Sequence, residues 1–369
     1  MGLSTGPGHA PAFDRERSRI FLEKADHALP DARLAVLRSM DDEALGIDGA
    51  FLRDAMSAFG IASPARISRA DAQGTFHRLY EVGEPGREPR LLRVAALAGT
   101  SAADLMALEC RVMTALRADG FPVPACEFRE VAQGDAARGV HLVEHARGVS
   151  LTAIDGDEAP MQVALGWVAR FLADLHRVRG TGFGPISLAA FRNSEATGRS
   201  GFAGVHGHWD DYVWVRLEEH LRSCEACGAI TTREAADIAA RFAAARPALR
   251  SAQDCALLHG DPGSHNFLID ESGIRAVIDW EDALLGDPLF DLASLCTFHP
   301  ERRHAAIWSA YGASLEPGGE AWTRFWLYFL RIALAKTVHR HRFAYADRPG
   351  RPPASRRIQL ALQRLEGAR

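Results

Sequence analysis

Between residues 255 and 292 the chain sets carboxylates inside apolar runs, and few folds can accommodate that. Leu257-Leu258 precede His259-Gly260-Asp261-Pro262-Gly263-Ser264-His265-Asn266, and Phe267-Leu268-Ile269 follow. Val277-Ile278 then lead into Asp279-Trp280-Glu281. A carboxylate at the end of a buried strand is costly unless it is paired, hydrogen-bonded or on a metal. A β-hairpin through these runs brings Asp261, Asn266 and Asp279 to one end. Two carboxylates and an amide so gathered suit Mg²⁺, which keeps several waters and takes other ligands from phosphates.

The rest of the chain supplies a frame. Residues 1–12, rich in Gly, Pro and Ser, read as disordered, and 13–60 carry helical stretches such as Gly49 to Phe59, apolar at 51, 52, 55, 56 and 59. Phe76-His77-Arg78-Leu79-Tyr80-Glu81-Val82 and Arg90-Leu91-Leu92-Arg93-Val94-Ala95 alternate across Gly83-Glu84-Pro85-Gly86, a hairpin pattern. A helix is predicted over Ser101–Ala118, and a short strand over Gly139–Val143. Beyond Arg147-Gly148 the texture turns helical and Ala-rich, with helices over Val163–Leu175, Asp210–Leu221 and Thr232–Ala248, and an irregular stretch over Gly180–Gly207. The fold class is therefore α+β: residues 61–145 as a small antiparallel-sheet lobe, 146–369 as a larger, mostly helical lobe, and 1–60 as an N-terminal extension with helices.

Several functions are excluded. The only lysines are Lys24 and Lys336, and neither lies in a Gly-x-x-x-x-Gly-Lys-Ser/Thr run, so no P-loop exists. A net charge of −4 without a long basic run argues against nucleic acid as partner. No apolar stretch is long and uninterrupted enough to span a membrane, and the start lacks a signal-peptide core, so a cytoplasmic protein with reduced cysteines is expected.

Asp261, Asn266 five residues later and Asp279 on the next strand have the order and spacing of a kinase-type phosphoryl-transfer site. With Gly286-Asp287-Pro288 and Asp291-Leu292-Ala293, with Leu172-Ala173-Asp174-Leu175-His176, and with Ala72-Gln73-Gly74-Thr75-Phe76, the chain resembles the aminoglycoside phosphotransferase and choline-kinase-like superfamily over residues 60–345. The resemblance implies a protein-kinase-like two-lobed fold and Mg-dependent transfer of phosphate from ATP or GTP. It implies Asp261 as catalytic base, Asn266 and Asp279 as Mg ligands, and Glu109 as partner of the strand cation. Two departures stand out: Arg93 occupies the place of the strand lysine, and Gly74 is alone beside Thr75 in the phosphate-covering loop. An arginine keeps the charge but grips phosphates through a wide planar fork.

The backbone of Glu144 and His145 is expected to meet the purine, and Trp209, Asp210 and Asp211 to line an acceptor pocket, since aromatics beside carboxylates suit a cationic or sugar-like molecule. His259 reads as a packed scaffold residue, Asp291 as a brace of the catalytic loop, and Glu281 as structural or metal-facing. His220, Cys224 and Cys227 share a helix face but lack a fourth zinc ligand. The expected partners are a nucleotide and a small hydroxyl-bearing substrate. That acceptor is read as antibiotic-like or sugar-like. A metabolic sugar or amino-alcohol kinase and a catalytically silent nucleotide-binding regulator stay open.

Overall fold

The computed structural model describes residues 31–61, 66–71, 74–187, 201–250, 255–345 and 353–366. The expected disordered start, Ala72-Gln73 and part of the irregular stretch lie outside the described residues. The first elements are α1 (Asp31–Ser39), α2 (Gly49–Ala58), β1 (Arg66–Arg69), β2 (His77–Gly83), β3 (Arg90–Ala95), α3 (Thr100–Ala118), β4 (Cys126–Gln133) and β5 (Ala136–Glu144). The expected hairpin is present, with Leu79 opposite Arg93 across β2 and β3. The sheet is antiparallel throughout, in the order β1-β2-β3-β5-β4. Strand β4 escaped the sequence reading because it is an edge strand in which Glu127, Arg129 and Glu130 interrupt the apolar alternation.

Burial of apolar side chains holds this lobe together, each worth about 1.5–3 kcal/mol relative to exposure. Leu34, Leu37, Phe51, Ala55 and Met56 from α1 and α2 share one cluster with Val82, Leu92, Val94 and Val140 of the sheet. Polar ties fix the register of that packing: Arg138 donates to Leu45 O at 2.6 Å, and Tyr80 Oη donates to Asp42 Oδ2 at 2.7 Å. On α3, Leu108, Val112, Met113 and Leu116 point instead into the large core. The helix therefore serves both lobes.

The larger region comprises β6 (Val149–Ser150), α4 (Glu158–Leu175), β7 (Phe183–Ile186), β8 (Gly204–His206), α5 (Trp209–Trp214), α6 (Leu217–Ala226), α7 (Thr232–Arg250), β9 (Ala256–Leu258), β10 (Phe267–Asp270), β11 (Gly273–Val277), β12 (Leu284–Gly286), α8 (Pro288–Thr297), α9 (His304–Tyr311), α10 (Glu320–Arg342) and α11 (Ala354–Glu366). Two small sheets carry the loops of interest, β11-β10-β6 and β8-β7-β12-β9. Around them pack α4, α8 and α10. Within α10 every residue from Phe325 to Val338 is buried. No helix among the described residues is long and apolar enough to cross a membrane.

Two expectations need correction. The helix over Asp210–Leu221 is broken: α5 stops at Trp214, and Arg216 takes a left-handed conformation, φ 57°. The buried Arg331 explains the break, since its guanidinium donates to Val213 O at 3.0 Å and Val215 O at 2.5 Å, carbonyls a continuous helix would engage itself. The stretch Gly180–Gly207 also contains two strands, β7 and β8, which pair antiparallel with Phe183 opposite His206.

Candidate active site

The loop between β9 and β10 is hung from the N-terminal half of α8. Asp291, fully buried, accepts the amide hydrogens of His259 at 2.7 Å and Gly260 at 2.9 Å. Gly260 has φ +84°, and a Cβ there would run into the carbonyl of Asp282, so only glycine fits. His259 is wedged against Trp280, ring centroids 4.6 Å apart, with Nε2 3.1 Å from Ile278 O. Burial lowers its pKa against the opposing pull of Asp291 and Asp261, so it stands as a neutral scaffold residue.

Asn266 closes the loop. Its Nδ2 donates to Asp261 O at 2.9 Å, and its own carbonyl accepts from Ile278 N at 3.0 Å. Asp261, Asn266 and the strand end before Asp279 are thereby tied together, as the spacing implied. Asp279 adopts a left-handed backbone, φ 66° and ψ 61°, an uncommon conformation for a non-glycine residue that here turns a 38% exposed carboxylate at a strand end. With its amide nitrogen committed to Asp261 O, Asn266 has Oδ1 as its side-chain acceptor. Together with the accessible carboxylate of Asp279 this is a hard oxygen donor set, the kind Mg²⁺ takes alongside phosphate and water.

Arg93 sits across from this loop on β3. Nη1 pairs with Glu109 of α3, while Nη2 lies 2.7 Å from Asp279 Oδ1, 3.1 Å from Glu281 Oε2 and 2.8 Å from His77 Nδ1. Burial acts to lower its pKa, but Glu109, Asp279 and Glu281 together hold it above the ordinary arginine value, so the cation is permanent. Glu109, 2% exposed, has α3 as its rigid support. His77, Glu109 and Glu281 could by spacing surround a metal ion, yet the Arg93 guanidinium already bonds to all three.

The remaining sequence candidates fall in several places. Gly74 O accepts from the buried Arg78 at 2.8 Å, and the Thr75 hydroxyl pairs with that of Tyr345 just beyond α10. The Glu144 amide donates to Ala125 O at 2.9 Å and its carboxylate accepts from Ala125 N at 3.0 Å. A groove of about 650 Å³ lies there, lined by Arg117, Pro122, Ala125, Glu144, His145 and Arg275, and it contains none of the loop residues 259–266.

Trp209 does not line a pocket: it is fully buried, its Nε1 donates to Tyr328 Oη at 2.9 Å, and that hydroxyl donates to Asp287 Oδ2 at 2.8 Å. Asp210 is equally buried and pairs with Arg246 at 2.9 Å, which leaves Asp211, 40% exposed, as the accessible member of the trio. The sequence missed that α5 turns its aromatic face inward. His220, Cys224 and Cys227 form no metal site, because His220 Nδ1 lies 2.7 Å from the Arg331 guanidinium and both thiols point to backbone carbonyls.

Lys336 was also missed. From α10, 75 residues away in sequence, its Nζ lies 3.7 Å from Asp261 Oδ1. The available signal was a lysine closing an apolar helical run in a chain whose cations are otherwise almost all arginine.

A hygromycin-B 4-O-kinase of Escherichia coli is 27% identical over 222 residues, 58% of this chain and 58% of that protein, so the match spans little more than half the relative's length. Among solved structures, a thermostable mutant of aminoglycoside phosphotransferase APH(4)-Ia, in ternary complex with AMP-PNP and hygromycin B, superposes with a TM-score of 0.61 at 19% identity, covering 86% of this chain and 99% of that one. The GDP and kanamycin complex of APH(2")-IIia gives 0.58 at 14% identity over 86% and 98%. The fold is thus the two-lobed, protein-kinase-like fold of aminoglycoside kinases. The family model matches residues 69–330, a span that takes in Arg93, Glu109, the loop 259–266 and Asp279, and the chain belongs to the phosphotransferase enzyme family.

Proposed function

We propose that this protein transfers the γ-phosphoryl group of ATP or GTP to a hydroxyl of a small molecule, with an aminoglycoside-like antibiotic as the leading acceptor class. The observation that carries the reading is the tie between Asp261, Asn266 and the strand end at Asp279, faced by Arg93 with Glu109. Phosphoryl transfer asks a protein mainly for positioning and charge compensation, and this set supplies both.

Asp261, at the loop edge with 21% of its side chain exposed, receives the acceptor's hydroxyl proton. The acceptor oxygen bonds to the γ-phosphorus, the bond from phosphorus to the bridging oxygen breaks, and the electron pair leaves with the nucleoside diphosphate. Asn266 and Asp279 would hold Mg²⁺, which would neutralise phosphate charge there. Arg93, steadied by Glu109 and His77, grips the α- and β-phosphates. Because the Glu144 amide is spent on Ala125, the purine contact falls to the backbone at His145. Asp211, the part-exposed carboxylate on α5 with Arg246 3.6 Å away, attracts a cationic acceptor.

The test is incubation with Mg–ATP and then Mg–GTP against pooled aminoglycosides (hygromycin B and kanamycin among them), macrolides, nucleoside antibiotics, sugars and amino alcohols. Mass spectrometry reads the gain of one phosphate, with Asp261→Asn as the blank. A product absent from the blank supports the reading and names the acceptor class. Product of equal amount in the blank removes Asp261 as base. Nucleotide binding without product across the pool points to the silent regulator instead.

A further inference from the structure

Asp261 does not stand alone against Asn266. On its other side the buried end of α10 brings in Lys336, 9% exposed, with Nζ 3.7 Å from Asp261 Oδ1. Two features hold the ammonium there. The Thr297 hydroxyl at the end of α8 accepts from Nζ at 3.0 Å, and the ring of Phe298 lies beneath it, 3.2 Å from nitrogen to centroid. Cation–π contact of this kind is strongest where the cation is desolvated. His265, the other cationic candidate at this carboxylate, is 44% exposed with Nε2 3.6 Å from Oδ2. Lys336 is the fixed partner and His265 the solvated one.

We propose that Lys336 is a further catalytic residue, whose ammonium contacts the transferring phosphoryl group and the acceptor oxygen. The inference rests on the reading of Asp261 as the base. At 3.7 Å the pair attracts electrostatically but is too long for a direct hydrogen bond. An acceptor oxygen about 2.8 Å from each atom bridges the gap, giving its proton to Asp261 while the ammonium faces the phosphoryl oxygens. The transition state spreads negative charge over those oxygens, and a cation fixed beforehand costs no reorganisation when that charge develops. Arg93 lies among Glu109, Asp279 and Glu281 and compensates the far end of the triphosphate; Lys336 compensates the end where the bond is made.

Residue choice agrees. Of 43 basic residues 41 are arginine, yet the one facing Asp261 from a packed helix is lysine. A compact ammonium sits between Phe298, Thr297 and the Asp261 carboxylate as a point charge, which a planar guanidinium fork would not reproduce.

The experiment compares wild type, Lys336→Met and Asp261→Asn, using Mg–ATP with hygromycin B or kanamycin, and inorganic phosphate release to water where neither accepts phosphate. Loss of one group that stabilises transition-state charge costs about 10²–10³ in kcat. Lys336→Met should fall by that factor with the KM for ATP within threefold and the melting temperature near wild type. A kcat within threefold of wild type overturns the inference.

Should Lys336→Met fold poorly, acetylation of the wild type by an N-hydroxysuccinimide ester decides, because the sequence has only two lysines. Activity lost in step with acetylation of Lys336, and protected by Mg–ATP, supports the role. Full activity with Lys336 acetylated removes it. Asp261→Asn keeps the two failures apart: wild-type turnover in that variant sinks the base assignment whatever Lys336 does.

Discussion

Nη2 of Arg93 lies 2.7 Å from Oδ1 of Asp279, although 186 residues separate them. This contact joins the small sheet to the loop region at the point where nucleotide phosphates are expected. The same guanidinium nitrogen also bonds Glu281 and His77, so one planar group organises four side chains. A lysine, with a single nitrogen on a flexible stem, cannot span that set.

Removing the cation should therefore cost stability as well as activity. Arg93→Ala strands Glu109 in a site where it is 2% exposed, and breaking a buried pair from one side costs about 3–5 kcal/mol. Chemical denaturation should show that loss, with part of it recovered in Arg93→Ala/Glu109→Gln. A single mutant as stable as wild type would mean that the network contributes little to folding.

Asp291 makes a second, separable prediction. Asparagine at this position offers one accepting oxygen and an NH2 that cannot accept, so the amide of His259 or of Gly260 loses its partner. Leaving one buried donor unsatisfied costs about 1–3 kcal/mol. Asp291→Asn should lower the melting temperature and reduce kcat by slackening the loop that carries Asp261, while the affinity for Mg–ATP changes within threefold. Unchanged kcat would show that the loop keeps its shape without the brace.

Trp209 and Asp211 divide the acceptor question. Trp209→Phe removes the hydrogen bond to Tyr328 and opens space against Gly286 and Phe290. It should cost about 1–3 kcal/mol of stability and leave the acceptor KM alone. Asp211→Ala should do the reverse, raising the KM of a cationic acceptor with little effect on melting. An altered acceptor KM in a Trp209→Phe protein of wild-type stability would put the indole back on the pocket wall.

A pH-dependent tie joins the start of α4 to the turn before α9. Hydrogen bonds from Arg303 and then Arg302 hold the Glu158 carboxyl down at about 2, against an ordinary value of 4.5. A carboxyl whose folded pKa is depressed contributes its full stabilisation above the unfolded value, and loses it as pH falls toward the folded one. The melting-temperature gap between wild type and Glu158→Gln should hold from pH 7 to about 4.5 and close as pH drops further. A gap that stays constant down to pH 3 would show that the carboxylate's charge is not what Arg303 recognises.

Much of this was legible in the chain because it depends on near neighbours. Asp261, Asn266 and Asp279 sit on one hairpin, where strand pairing fixes which residues meet, and the alternation around Arg93 marks its strand directly. The break between α5 and α6 was not legible. Its cause is Arg331, more than a hundred residues away, claiming two carbonyls.

The sequence alone determined the fold class, the family and which polar residues the β9–β12 loops gather, since apolar periodicity and turn residues act over a few positions. Only the tertiary structure decided which side chains meet across those elements. Trp209 and Asp211 belong to one helical turn, yet packing against Tyr328 and Phe290 buries the first and leaves the second part-exposed beside Arg246. Lys336 reads in sequence as one polar residue in an apolar helix. The docking of α10 against α8 sets it on Phe298 and beside Asp261, a placement fixed by long-range packing that no local pattern encodes.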